Sequence, residues 1–543
     1  MSQKTIIPTH TTIYDLLAHS ALRYAKKTAI EEKCGDFYIG YTYAQLNDDA
    51  RKLASALRRL LGAGAHVMIV GENGYNFVLS YLGVVCSGCA AIPLPVSVTL
   101  ETARAAVRDC DISAIIYGDD ARELAEGIQK KVKKISFSAL HDMVKNEKEV
   151  KLAPPSQDDV AELAYTYGAE ETPRAAVLTH KNICFSIDEM AKTLPLSTDD
   201  KLYSVLPTAY SYERICGTLY PLSTGACVTY GEGLRHLSTN LRRVSPTVML
   251  CVPLILDRIY GKIWANIEKK GIGESVRRAI KLTAAAGPLR TAVRRQVFAE
   301  IHDSLGGRLS VLFCGGGLPS HEAVYGLREF GIRTLACYGA VETAALMCAN
   351  RRDLHEYSSV GMPVPDGLLD IYNIQADGIG EIRYKGGNVF GGYYKNAELS
   401  EAVLRDGWFY TGDMGYFDRR GFLHIVGKKS NMILRARRRA VFPEEIEKKL
   451  TESPFIVEAA VYGELDSTGG DYDVVARIVP DMKNLEALYG KSLSADKIRK
   501  EIANAVGAAN AGLEPHKAIV RFTVSDGELE KNEIGKVLRS KLT

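Results

Sequence analysis

Apolar runs of strand length alternate with helix-length stretches over residues 42–117, and this alternation is the strongest constraint on the fold. Thr42 and Gln45 read as a capping box, after which Leu46, Ala50, Leu53, Leu57 and Leu60 recur at helical spacing until Gly62 interrupts them. Residues 66–70 read as a short apolar strand, 76–87 as a buried helix, 90–94 as a second strand, 102–110 as a helix and 114–117 as a third strand. That succession requires parallel strands joined by helical crossovers, and such sheets offer ligands the carboxyl ends of their strands. The pattern resumes after Ala161, with strands expected at 205–207, 248–252 and 309–313 and a helix at 255–270.

From Gly378 the texture changes to short-period, glycine-rich and aromatic segments through His424, which suggest a β-rich lobe. After Gly427 a basic stretch leads to a helix at 443–450 with proline at its start, then to strands at 459–462 and 474–479. The fold class expected is α/β: a large N-terminal domain of parallel α/β sheets plus a β-rich lobe (1–427), and a small C-terminal α+β domain on a hinge (428–543). A chain of 543 residues exceeds the size at which single cores usually split.

Composition excludes several classes. Near-balance of 68 basic and 65 acidic residues, a formal charge of +3, gives no reason to expect nucleic acid as a partner. No apolar run reaches the roughly 18 residues that span a bilayer, and residues 1–14 lack a secretory pattern, so the expected location is cytoplasmic. The 11 cysteines, an odd number scattered through apolar stretches, read as reduced core thiols. Cys86 and Cys89 form a C-x-x-C without a second ligand pair nearby and are assigned to packing rather than to zinc.

Three blocks carry chemistry. The densest is Gly380-Glu381-Ile382, Lys385-Gly386-Gly387-Asn388-Val389, Gly392-Tyr393-Tyr394, Asp406-Gly407-Trp408, Tyr410-Thr411-Gly412-Asp413, Gly415, Asp418, Gly421 and Gly427. An isolated Thr-Gly-Asp is usually a turn capped by its aspartate, yet a carboxylate at a strand end also suits a pair of ribose hydroxyls. The second block is Phe313-Cys314-Gly315-Gly316-Gly317 with Cys337-Tyr338-Gly339-Ala340-Val341-Glu342, where glycines permit close approach of a flat ligand and Tyr338 can cover its face. The third is Lys531-Asn532-Glu533-Ile534-Gly535-Lys536 near the C-terminus.

In order and spacing these blocks resemble the adenylate-forming (AMP-binding) superfamily, and within it the AMP-forming long-chain fatty acyl-CoA synthetases. The resemblance runs over nearly the whole chain and implies activation of a fatty or other apolar carboxylic acid by ATP to an acyl-AMP, then thioester formation with CoA, or loading onto an acyl carrier protein. It implies that Asp413 holds the ribose, that Gly315, Gly316, Tyr338 and Gly339 hold adenine, and that Glu342 helps to bind Mg2+. Lys536 matches the lysine that reaches the active site during adenylation, where an ammonium stabilises charge at the α-phosphate. Thr166, Gly168 and Arg174 match the phosphate loop, Lys428 replaces an arginine that contacts ribose, Ser430 and Asn431 fall at the interdomain hinge, and Tyr210 replaces a histidine at the acid pocket.

The match breaks in places with physical consequences. The phosphate loop reads Tyr165-Thr166-Tyr167-Gly168-Ala169-Glu170-Glu171-Thr172-Pro173-Arg174, so hydroxyls and glycines expected around the β- and γ-phosphates have become bulk and two carboxylates. Each carboxylate repels a nearby phosphate charge by about 1 kcal/mol in water and more where water is excluded. Val341 replaces a threonine, and Arg438 stands where a glycine lines the pantetheine tunnel. Segment Leu206-Pro207-Thr208-Ala209-Tyr210-Ser211-Tyr212-Glu213-Arg214 lacks the aspartate that would meet an amino acid's ammonium, which favours an apolar acid. Two readings therefore stand side by side, an acid-thiol ligase and a binding or regulatory protein that keeps the fold without turnover.

Overall fold

The computed structural model describes residues 10–129, 131–147, 152–166, 174–317, 319–375, 377–435, 439–466, 470–531 and 537–542. Two sheets dominate it. One has 9 strands in the order Met362–Pro363, Cys348–Ala349, Arg333–Tyr338, Val311–Cys314, Val248–Cys251, Lys201–Ser204, Cys227–Tyr230, Thr28–Cys34 and Phe37–Thr42. The other has 6, in the order Lys133–Ser136, Ile112–Tyr117, His66–Val70, Ala90–Leu94, Val160–Thr166 and Arg174–Thr179. Their central pairs are parallel, as the sequence alternation requires; antiparallel pairs finish three of the four edges, and Lys133–Ser136 finishes the fourth in parallel.

Both sheets are covered on both faces. In His66–Val70 the period-2 pleat sends Val67 and Ile69 into the core shared with the larger sheet, while Met68 and Val70 pack beneath helix Leu100–Asp109 with Ala103 and Val107. In the larger sheet Leu250 and Phe313 face the shared core, and Met249 and Leu312 face helices Pro253–Lys269 and His321–Glu329. Helices Tyr43–Leu61, Tyr75–Cys86 and His180–Thr193 fill the middle layer, so helices and sheets alternate in five layers. Buried on both faces, these strands read as continuous apolar runs. Cys86 and Cys89 are buried within this core.

One strand lies elsewhere than expected. Residues 205–207 leave the sheet at the end of Lys201–Ser204 because Pro207 has no N–H to offer a ladder and Asn73 takes over its neighbours. The Asn73 amide donates to Leu206 O at 2.6 Å and accepts from Thr208 N at 2.7 Å. The β-rich lobe is present as antiparallel strands Leu368–Tyr372, Gly380–Lys385, Leu404–Arg405, Trp408–Phe417 and Leu423–Lys428. Asn388 locks this lobe to the sheets: fully buried, its amide donates to Thr343 O at 2.9 Å and Leu346 O at 2.6 Å and accepts from Tyr384 Oη at 2.9 Å.

Beyond Ile433, strands Ile456–Leu465, Tyr472–Pro480 and Arg521–Val524 form a 3-stranded sheet covered by helices Pro443–Leu450 and Ala495–Ala511 over a core of their own. A small cluster of Met414 with Ala440 and Phe442 ties this part to the lobe.

The two large sheets are pinned together by a buried ion pair. Glu162, in the strand Val160–Thr166, is fully buried, and the Arg214 guanidinium meets it through Nη2 and through Nε at 3.0 Å. Arg214 also donates to Thr208 O and Ala209 O, and Tyr81 Oη donates to the same carboxylate at 3.2 Å. Arg214→Met, which leaves Glu162 buried without a partner, is expected to lower unfolding free energy by about 3–5 kcal/mol in urea titration, and adding Glu162→Gln to recover part of it.

Candidate nucleotide site

Strands Val311–Cys314 and Arg333–Tyr338 lie side by side, and the segments that leave their carboxyl ends form the floor of the site. A Cβ on Gly315 would sit 2.8 Å from the Tyr212 ring, and one on Gly339 would collide with the backbone of Ala345 and Leu346. Close packing on the protein's own side therefore requires glycine at both positions, whatever lies opposite. Tyr212 donates its hydroxyl to Phe313 O at 2.8 Å, so the segment carrying Tyr210 is bound directly to this floor. Tyr210 itself is half-buried and its carbonyl accepts from Arg214 N at 2.9 Å.

Across from the glycines, Tyr338 Oη donates to Asp413 Oδ2 at 2.7 Å, and Lys428 Nζ contacts Asp413 Oδ1 at 2.7 Å. Trp408–Phe417 and Leu423–Lys428 are paired so that Asp413 and Lys428 face one another in register. Burial, then the Asp413 charge, pushes the Tyr338 phenol well above its ordinary range, so it remains a donor. For Lys428, burial opposes the charged form, but Asp413, with Glu342 and Glu444 farther off, more than reverses this and holds the ammonium above its usual value.

Glu342 opens a second group. It lies in the short turn after Arg333–Tyr338, and its Oε1 accepts from Tyr393 Oη at 2.7 Å. Strand Arg174–Thr179 bonds along the segment 391–394, with Val177 N to Gly392 O at 3.0 Å and Tyr394 N to Ala175 O at 2.8 Å. That pairing sets the Arg174 guanidinium 5.7 Å from the Tyr393 ring centre. Burial, with Glu342 next to it, raises the Tyr393 phenol, so it too stays protonated.

Thr166 and Arg174 are paired with each other at the ends of the antiparallel strands Val160–Thr166 and Arg174–Thr179. Gly168, with Glu170 and Glu171, lies outside the described residues, as do Arg438 and Lys536. Ser430 is exposed and Asn431 donates to Glu444 Oε1 at 2.5 Å, while Lys429 pairs with Glu381 at 2.7 Å. Gly315, Gly316, Tyr338, Gly339, Glu342, Asp413, Lys428, Thr166 and Arg174 thus come from five separated segments to one edge of the large sheets.

Tyr393 and Tyr212 were not singled out by sequence reasoning as site residues. Both had a signal in their position, Tyr393 in Gly392-Tyr393-Tyr394 and Tyr212 in the segment Leu206 to Arg214. Among the described residues no cluster of His, Cys, Asp or Glu could hold a metal by itself. The single carboxylate Glu342 is a hard oxygen donor of the kind that suits a magnesium ion, which takes few protein ligands and completes its shell with phosphate and water. Tyr338→Phe, which deletes a hydrogen bond to a carboxylate, is expected to cost about 1–2 kcal/mol of stability, measured by denaturant unfolding.

Comparison with known proteins agrees with this geometry. The family model described as AMP-binding enzyme matches residues 17–394. Human long-chain-fatty-acid–CoA ligase 1 is 29% identical over 387 residues, 68% of this chain but 54% of its own length, so the chain spans about half of that relative. Long chain acyl-CoA synthetase 2 of Arabidopsis thaliana is 25% identical over 514 residues, covering 85% of this chain and 76% of its own. Among solved structures, o-succinylbenzoate CoA synthetase of Bacillus subtilis in complex with its acyl-adenylate superposes with a TM-score of 0.77 at 21% identity, covering 97% of each chain. ATP-bound MatB of Rhodopseudomonas palustris gives 0.78 at 22%, covering 98% of each. No helix among the described residues is long and apolar enough to cross a membrane. With glycine floor, tyrosine, aspartate and glutamate assembled in the expected order, the chain belongs to the AMP-binding enzyme family.

Proposed function

We propose that this protein is an ATP-dependent acid–thiol ligase that activates a fatty or other apolar carboxylic acid as acyl-AMP and passes it to CoA. The observation that carries the reading is the meeting of Tyr338, Asp413, Lys428 and Glu342 beside the glycines at 315 and 339. Asp413 is suited to take the ribose hydroxyls, exchanging part of its present bonding for charge-assisted bonds from the nucleotide. Lys428 and Arg174 supply cations, which matter more here because the loop between Thr166 and Arg174 brings Glu170 and Glu171. Magnesium, held by Glu342 and by phosphate oxygens, would neutralise charge on the leaving pyrophosphate.

In the first half-reaction the acid's carboxylate oxygen forms a bond to the α-phosphorus and pyrophosphate leaves. In the second the thiol sulfur bonds to the acyl carbon and AMP leaves. Lys536 is assigned to the first step, where its ammonium offsets charge at the α-phosphate. The part from residue 428 onward is read as a mobile domain, with Ser430 and Asn431 as the hinge that re-presents it between the two steps. A long-chain acid is favoured by the names of the curated relatives, and a cytoplasmic site of action and CoA rather than a carrier protein belong to the same reading. A second reading, a nucleotide binder without turnover, is favoured by the sequence changes Glu170, Glu171, Val341 and Arg438.

Exchange of labelled pyrophosphate into ATP, driven by a panel of acids, separates the two readings. The ligase shows exchange with an apolar acid, and Lys536→Ala abolishes it. Asp413→Asn is expected to raise the KM for ATP about 10–100-fold, the worth of hydrogen bonds to a charged group. Absence of exchange with every acid, alongside measurable AMP binding, would leave only the non-catalytic binder.

A further inference from the structure

Glu213 is buried, and among the described residues no cation faces it. It is the second residue of the π-helical turn Tyr212–Leu219 and only 1% exposed, and its Oε2 has no hydrogen-bond partner among the described residues. Its neighbour Arg214 faces away, to Glu162. Space for the carboxyl is provided by Gly217, where a Cβ would lie 2.7 Å from Glu213 Oε1. Around it stand the ends of two parallel strands, Lys201–Ser204 and Cys227–Tyr230, with Ser204 and Tyr230 in register. Thr208 and Thr218 adjoin Tyr230, Thr218 Oγ1 lying 2.9 Å from Tyr230 Oη, while Ser204 Oγ and Thr208 Oγ1, like Glu213 Oε2, have no hydrogen-bond partner among the described residues. All of these side chains are buried.

Burial sets the protonation here. Desolvation, eased only by the Ser204 hydroxyl, pushes the Glu213 carboxyl up to about 8. The titratable groups that face it are Tyr230 from the adjoining strand and Cys216 from its own turn, and burial holds both neutral. At neutral pH the cluster is therefore uncharged, an acid group among hydroxyls.

The turn that Glu213 anchors carries Tyr212, whose ring lies against Gly315, and follows Tyr210. π-Helical turns are costly and occur mostly where function demands the altered side-chain direction. We propose that Glu213 is a positioning residue: its carboxyl group, seated among Ser204, Thr208 and Tyr230, holds the π-helical turn against the strand ends and thereby sets Tyr210 and Tyr212 at the acid pocket. This rests on the ligase reading for its functional half and on the fold alone for its structural half.

Both halves are measured on the full chain with Glu213→Gln and Glu213→Leu. In the folded state the carboxyl keeps its proton up to about 8, whereas in the unfolded chain it loses it near the ordinary glutamate value of 4.5, so the stability it contributes is present at low pH and drains away as pH rises toward 8. The thermal midpoint of the wild type is expected to fall more steeply between pH 5 and pH 9 than that of Glu213→Gln, which cannot ionise; equal slopes overturn the proposal. In acid-dependent pyrophosphate exchange, Glu213→Gln should keep the KM for the acid near the wild-type value at pH 7 while Glu213→Leu raises it by about tenfold or more with little change in kcat. An unchanged KM in Glu213→Leu, or a loss confined to kcat, overturns the positioning role. If Glu213→Leu does not fold, the wild-type KM rising above pH 8 while that of Glu213→Gln stays flat supports the role, and parallel profiles reject it. Should the wild type exchange with no acid, the ligase reading falls, and the thermal slopes still decide whether Glu213 anchors the turn.

Discussion

The buried contact between Arg214 and Glu162 is the constraint on which the arrangement of the site depends. One partner belongs to the six-stranded sheet and the other to the turn that leaves the nine-stranded sheet, so the pair fixes how the two sheets meet. Its Coulomb energy need not exceed the cost of desolvating two ions, and a well-packed apolar pair is often as stable on that account alone. What the ion pair adds is direction. A guanidinium with five acceptor atoms, Glu162 twice, the carbonyls of Thr208 and Ala209 and the Ser211 hydroxyl, is satisfied in one orientation, and that orientation sets the course of residues 206–214. Asn73 reinforces it from the same sheet by bonding Leu206 and Thr208.

From that fixed segment the rest of the site follows by contact. Tyr212 reaches Phe313 and covers Gly315, while Tyr338, at the end of the next strand, reaches the lobe through Asp413. The lobe is itself keyed in by Asn388 and by the Asn182 amide, which donates to Gly387 O at 2.8 Å and Val389 O at 3.0 Å. Polar groups buried at such junctions must find partners, and each here finds them on a different element, which makes the bonds specific to one docking.

Much of this was legible in the sequence, and the reasons are physical. Strand and helix alternate with distinct periods, so residues 66–94 could be divided almost to the residue as His66–Val70, Tyr75–Cys86 and Ala90–Leu94. Asp413, Glu342 and Tyr338 were picked out by the order and spacing of motifs that resemble the family, and in the structure Tyr338 is bonded to Asp413. Residues 205–207 were misplaced because an apolar Val-Leu-Pro satisfies a strand's pattern, and only the tertiary bonds of Asn73 show where the ladder stops. Arg214 and Glu162 went unremarked for a related reason: a lone carboxylate in Val160-Ala161-Glu162-Leu163-Ala164 signals a buried partner, but periodicity does not say which cation supplies it.

The electrostatics of the site divide its acidic groups into two kinds. Glu162 and Asp413 have cations within bonding distance and are anions that organise their surroundings. Glu213 faces no cation among the described residues and is held neutral by burial, so it can donate as well as accept. Under the proposed ligase reading, a site that admits a polyanion at one end and an apolar chain at the other gains from this division. Fixed negative charge is confined to positions where a cation already answers it, and the wall nearest the acid motif stays uncharged. Placing a bare carboxylate at Glu213's position instead would repel the substrate's own carboxylate through a medium with little water to screen it. Neutralisation by burial is thus the cheaper arrangement, and it makes the turn carrying Tyr212 sensitive to pH in a way that the ion-paired Arg214 beside it is not.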